Sequence, residues 1–185
     1  MKAMRPWILF TVLVAVPVGR TSAVAQNHSP ETNRESGLVF VIEPVKTVYT
    51  KGENVEFKFR LSNRSDEKVL VAKTFQLARY VDLNISDAKG KLAGWCGRIV
   101  SQTDSPRSFT TLSPGESVSQ NLVVSCVNET DRTQAWGYSL DTPGRYLVTG
   151  TYRLPQPSAF FEELFPKIQV VRGPVSAKPV SIEIR

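Results

Sequence analysis

Histidine is nearly missing from this chain: one residue of 185 is a histidine, His28, and it stands in a polar stretch near the N-terminus. With the single imidazole there, no Ser-His-Asp or Cys-His constellation, no His pair for zinc and no HExxH helix is available. Cysteine is almost as scarce, with only Cys96 and Cys126. The 11 glycines stand singly at turn-like positions, so no Gly-rich phosphate loop is present. No block of Lys and Arg occurs that would suit a phosphate backbone or an anionic membrane. No internal repeat is visible. Acidic pairs such as Asp82 with Asp87, or Glu129 with Asp131, are too few and too short to supply the six to eight oxygens calcium takes, and read as solvated turn residues. The expectation is a protein with no cofactor, no metal and no catalytic centre.

What is present begins with a leader. Lys2 and Arg5 precede an apolar run from Trp7 to Val18, and Ala23-Val24-Ala25 follows as a small-residue cleavage pattern. That run of about a dozen residues is short for a bilayer core of ~30 Å. Pro17, Gly19 and Arg20 break it, which favours cleavage after Ala25 over an uncleaved anchor. Residues 1–25 therefore read as a signal peptide, 26–37 as a polar, disordered lead-in and 38–185 as one domain. The expected location is secreted or periplasmic, with no membrane span after cleavage. The leader takes Lys2, Arg5 and Arg20 with it, so a net charge of +6 falls by three to +3. Nucleic acid is not an expected partner.

The rest of the chain alternates. Val55, Phe57, Phe59 and Leu61 interleave with Glu56, Lys58 and Arg60, a period of two that marks a half-buried strand. Similar runs span Leu38 to Glu43 with Thr47 to Tyr49, Val69 to Ala72, Val81 to Ser86, Val118 to Val124, Tyr146 to Tyr152 and Val180 to Ile184. Turn signals separate them, among them Lys51-Gly52-Glu53-Asn54, Asp87-Ala88-Lys89-Gly90 and Ser113-Pro114-Gly115-Glu116. Alternating rather than continuously apolar runs favour antiparallel sheets with one solvated face.

Asp141-Thr142-Pro143-Gly144-Arg145-Tyr146 gives this pattern its architecture. A Pro-Gly turn with a tyrosine at the head of the next strand is how immunoglobulin-like sandwiches turn a corner, the hydroxyl reaching back to upstream backbone. The expected fold is all-β, a single immunoglobulin-like antiparallel β-sandwich of about seven strands. A jelly roll or open barrel is the alternative. In an oxidising compartment Cys96 and Cys126 are expected to form one disulfide, closing a loop of about thirty residues and contributing on the order of 3–4 kcal/mol. Its place outside the usual cross-core position suggests a loop tether that fastens Val127–Tyr138 against the Trp95 region. By strand parity the Cys126 sulfur is expected to face inward, with Val118, Leu122 and Val124.

Candidate binding positions lie in the connections. Between Pro155 and Pro174, Ser158 is placed to cap a helical turn in which Phe160 and Phe161 meet Leu164 and Phe165 at i, i+4 spacing. Such a turn plugs the open end of the sandwich or, in the functional reading, anchors a partner. Trp95 and Trp136 flank the disulfide-held segment; packing around the bridge is the expected role and a carbohydrate-stacking platform the alternative. Asn27, Asn63, Asn84 and Asn128 each head an Asn-x-Ser/Thr tripeptide, read here as chance.

A family pattern accompanies these residues: Leu61-Ser62-Asn63, then Lys68-Val69-Leu70-Val71, then Asp82-Leu83-Asn84-Ile85-Ser86-Asp87 with Gly90. Phe109 ahead of Leu112-Ser113-Pro114-Gly115-Glu116-Ser117 follows, and Pro143-Gly144-Arg145-Tyr146-Leu147-Val148 completes it. From Leu38 to Tyr152 this resembles the immunoglobulin-like accessory domain found beside deuterolysin-type metallopeptidase domains. It is also similar to the sandwich of the bacterial intracellular proteinase inhibitor family. The zinc-binding half of the first family has no counterpart here, so that resemblance implies a fold without peptidase activity. The second implies a protease inhibitor, though here with a secretory leader in place of a cytoplasmic setting. The functional expectation is an exported, non-catalytic interaction module whose partner is a protein or other envelope macromolecule, with a secreted protease inhibitor as the alternative.

Overall fold

The computed structural model describes residues 37–96, 105–126, 137–154, 168–170 and 173–185. The leader, the lead-in up to residue 36, Trp136 and the Phe160, Phe161, Leu164, Phe165 group lie outside the described residues.

Eleven strands make an all-β sandwich: β1 Leu38–Pro44, β2 Val48–Tyr49, β3 Glu56–Asn63, β4 Val69–Ala72, β5 Val81–Asp87, β6 Phe109–Leu112, β7 Ser117–Val123, β8 Gly144–Tyr152, β9 Gln169–Val170, β10 Val175–Ser176 and β11 Val180–Ile184. Among the described residues the one helical element is a 3-10 turn, Pro106–Ser108, and no helix is long and apolar enough to cross a membrane. In the first layer β3 lies between β1 and β7, antiparallel to both. In the second, β8 is flanked by β5 on one side and by β11 and β10 on the other, with β2 beyond β11. A small third sheet has the order β6-β4-β9.

The period-two strand is the middle of the first layer because its apolar parity can be buried completely. Phe57, Phe59 and Leu61 are inaccessible, while Lys58 and Arg60 face solvent. Between the layers Phe40, Phe59, Phe75 and Tyr152 form one aromatic cluster, with neighbouring ring centroids 5.9 to 6.2 Å apart. Such pairs add about 0.5–1.5 kcal/mol each beyond the area they bury. Tyr152 also links sheets, because its hydroxyl accepts the Ala72 amide of β4 at 2.8 Å. Gly150 leaves room for this packing: a Cβ there would overlap Ile42 Cδ1 of β1 and lie 2.8 Å from Leu83 Cδ2 of β5.

All seven expected runs are strands, and four short strands are added to them. Thr47 to Tyr49 does not continue β1; after Pro44 the chain crosses to the second layer, where β2 pairs with β11 in parallel. Val45 N–H and the Tyr49 hydroxyl both donate to the Glu56 carbonyl, at 3.0 and 2.8 Å, and fix that crossing. β6, in the pattern buried–half–half–buried, carries no alternation to read. β9 and β10 are two residues each, too short for any periodicity. The two parallel pairs, β2–β11 and β4–β9, qualify the antiparallel expectation.

Two polar groups hold the corners. The Tyr146 hydroxyl donates to the Thr142 carbonyl at 2.7 Å, turning the chain into β8. Asn63 is fully buried at the end of β3. Its Nδ2 donates to the carbonyls of Glu67 (2.7 Å) and Leu112 (3.0 Å), and its Oδ1 accepts from the Ser65 amide (3.0 Å) and hydroxyl (2.7 Å). Its side chain is thus committed to folding, which leaves no accessible amide for glycan attachment at that tripeptide.

Candidate functional site

Three short stretches of chain meet where β7 runs out, alongside β5: Gly94–Cys96, Val124–Cys126 and Gly137–Ser139. Tyr138 runs through the middle, bridging antiparallel to Trp95 and parallel to Ser125. Its N–H donates to the Val124 carbonyl at 2.7 Å, and its carbonyl accepts the Cys126 amide at 3.1 Å. On the other side Cys96 N–H donates to Gly137 at 3.0 Å and Ser139 N–H to Gly94 at 2.8 Å. Cys96 and Cys126 are bonded across this arrangement, their Cα atoms 6.4 Å apart. The disulfide therefore fastens a three-stranded clasp with Tyr138 between its outer members.

The sequence builds the clasp through a small residue and two aromatics. Gly137 passes so close to β7's continuation that a Cβ would overlap the Val124 carbonyl oxygen and lie 2.7 Å from its carbon. Tyr138 and Trp95 meet edge to face, centroids 5.1 Å apart at 81°, the geometry that aromatic quadrupoles favour. The Tyr138 hydroxyl donates to the Leu83 carbonyl of β5 at 2.8 Å. Burial pushes this phenol above its ordinary value, the bond to Leu83 opposes the shift, and the negative charge of Asp82 adds to it. Ser125 Oγ accepts the Val55 amide at 2.8 Å, joining the clasp to the first layer. Trp95 Nε1 is buried without a hydrogen-bond partner among the described residues.

The positions singled out from the sequence divide clearly. Cys96 and Cys126 form the disulfide. Cys126 is half-buried, as are Val118 and Leu122 on the same parity, while Val124 and Ser125 are buried in succession, so the strict alternation of β7 ends there. Trp95 is partly buried and packed against the core, with its ring edge to face against Tyr138; Trp136 lies outside the described residues. Tyr146 holds the corner. Asp82 pairs with Arg153 at 2.9 Å. Asp87 Oδ1 accepts the amides of Lys89 and Lys91 at 2.8 and 2.9 Å, the work of a turn residue. No group of three metal-ligating side chains converges among the described residues.

Sequence reading missed Gly137, Tyr138 and Ser125. The signal was the Gly-Tyr pair that starts eleven residues beyond the second cysteine, a close-approach residue followed by an amphipathic ring, but no periodicity marks so short a segment.

Fold and clasp together define a class: an all-β sandwich with one disulfide clasp. Compared with known proteins, the chain matches no family model and no curated protein.

Proposed function

We propose that the chain is an exported, non-catalytic recognition module that binds another macromolecule at the disulfide clasp of its sandwich. The observation that supports this reading is the clasp itself. Cys126 and Gly137 are the two roots of the connection 127–136 and Cys96 is one root of 97–104, and these three residues are tied together by main-chain hydrogen bonds and the disulfide. Binding segments are commonly loops held by a rigid scaffold. Fixed roots also lower the ordering cost of binding. A disulfide suits an oxidising compartment, in keeping with the leader-like N-terminus.

The same fixed roots favour a second reading, a secreted protease inhibitor, because an inhibitory loop works by being pre-organised. The resemblance to the proteinase-inhibitor sandwich points the same way.

Immobilised protein and its Cys96→Ser/Cys126→Ser variant are challenged with the exported fraction of the source organism, and both are assayed against exported serine, cysteine and metallo-proteases. A partner retained by the wild type and lost by the folded variant is the expected result, and inhibition would select the second reading. Equal retention by both, or none by either with no inhibition, removes the clasp as the binding site.

A further inference from the structure

The outer face of the second layer carries a row of side chains that the core does not explain. Leu92 is opposite Ser86, Ser86 is opposite Leu147, and Leu147 is opposite Ser181. Directly opposed residues stand on the same face of a sheet, and Leu92 and Leu147 are 61% and 48% exposed. The row therefore reads leucine, serine, leucine, serine across four neighbouring stretches of chain. At the usual strand spacing the two leucines stand about 10 Å apart, with a slot one serine wide between them.

Such a row is complementary to itself. A two-fold axis parallel to the strands, passing between Ser86 and Leu147, exchanges those two positions. The same rotation exchanges Leu92 with Ser181. Each leucine then meets a serine and each slot receives a leucine, which is the requirement of an isologous interface. The adjoining rows obey the same operation. Asn84 lies opposite Thr149, and Asp82 opposite Thr151. Rotation brings amide to hydroxyl and carboxylate to hydroxyl, so like charges do not meet on these rows. Arg153 paired with Asp82, and Arg145 opposite Glu183, carry both signs, which suits this chain's own face better than a polyanion or an anionic lipid surface.

We infer that the protein forms a two-fold homodimer through this face, each Leu147 seated over the partner subunit's Ser86 and each Leu92 over the partner subunit's Ser181. The row shares no residue with the proposed clasp site, so either can fail without the other.

Sedimentation equilibrium of the leaderless chain tests it, with circular dichroism confirming the fold of each variant. A micromolar dimer is expected. Leu147→Arg should weaken it at least about 30-fold, as for a central anchor residue, and Leu147→Ser should do so in the same direction with less risk to folding. Ser86→Leu discriminates further: it fills the slot and weakens a dimer built this way, whereas it would strengthen non-specific association of an apolar face. A monomer at about 100 µM, a dimer indifferent to Leu147→Ser, or a dimer tightened by Ser86→Leu overturns the inference.

Discussion

The hydroxyl of Tyr146 donates to the carbonyl of Thr142, four residues upstream, at 2.7 Å, while its ring is buried beneath the start of β8. One side chain thus closes the Thr142-Pro143-Gly144 turn and contributes to the core. Tyr146→Phe keeps the ring and deletes the bond, leaving the Thr142 carbonyl without this donor. The expected loss is about 1–2 kcal/mol, read as a lower urea midpoint with an unchanged slope.

Alkaline pH should weaken the fold through the same kind of group. Burial raises the phenols of Tyr138 and Tyr146 above the ordinary value of 10.0, and it raises Tyr152 as well. The unfolded chain ionises near 10 while the folded chain resists. Stability is therefore complete below that pH and is lost as pH rises through the folded values. Urea midpoints taken upward from about pH 9 should fall, and the fall should be shallower in the Tyr138→Phe/Tyr146→Phe protein. An equal slope in both would show that other groups govern the transition.

How far the sequence could be read depended on what each element uses for specification. β3 was legible because Phe57, Phe59 and Leu61 alternate with charges and the layer buries that parity completely. Tyr146 was legible because its turn chemistry is local. The clasp was only half legible: two cysteines imply a bond, but Tyr138 between them is placed by contacts to Trp95, Leu83 and Val124, all distant in sequence. Gln120 is a similar case. It occupies a half-buried position of β7 between Val118 and Leu122 and is used there to accept the Phe75 amide at 2.9 Å. Leu147 was readable as an apolar residue at an outward position, but only the cross-strand register reveals the serines beside it.

Removing the disulfide should loosen the clasp before the sandwich. Cys96→Ser/Cys126→Ser frees a loop with a sequence separation of 30, a loss of about 3–4 kcal/mol in the chain-entropy account. The amides of Cys96, Cys126 and Tyr138, bonded within the clasp, should exchange faster with solvent. Amides shared by β3 with β1 and β7 should keep their protection relative to global unfolding. Uniform acceleration in all strands would mean that the clasp and sandwich open as one unit.

Ala78 is a non-glycine residue in the left-handed region, φ 62°. It sits in a turn whose Gln76 carbonyl accepts the Tyr80 and Val81 amides at 2.9 and 3.1 Å, and its own N–H donates to Val81 at 2.8 Å. The left-handed cost for an L-residue, roughly 1–2 kcal/mol, exceeds the entropy glycine loses. Ala78→Gly is expected to raise stability by about 0.5 kcal/mol, and Ala78→Val to lower it by more, because β-branching worsens the same clash. Thermal midpoints of the two variants should bracket the wild type.

Asn63→Asp reverses the usual acid sensitivity of a protein. The native amide donates to two carbonyls, Glu67 and Leu112, and accepts from Ser65. A carboxylate can accept from Ser65 but presents only lone pairs to the two carbonyls, in a site closed to water. The charged form is disfavoured by burial and by those dipoles, so the folded pKa of the introduced group rises above its unfolded value. Its unfavourable contribution is then small below the unfolded pKa, where the protonated acid donates to one carbonyl, and grows as pH rises until it passes the folded pKa. At neutral pH the variant should be about 2–4 kcal/mol less stable than the wild type. The difference should narrow as the buffer is lowered toward about pH 4. Urea unfolding of both proteins across that range measures it, and a gap that stays constant or widens in acid would mean that Asn63 does not hold its corner through donation to Leu112 and Glu67.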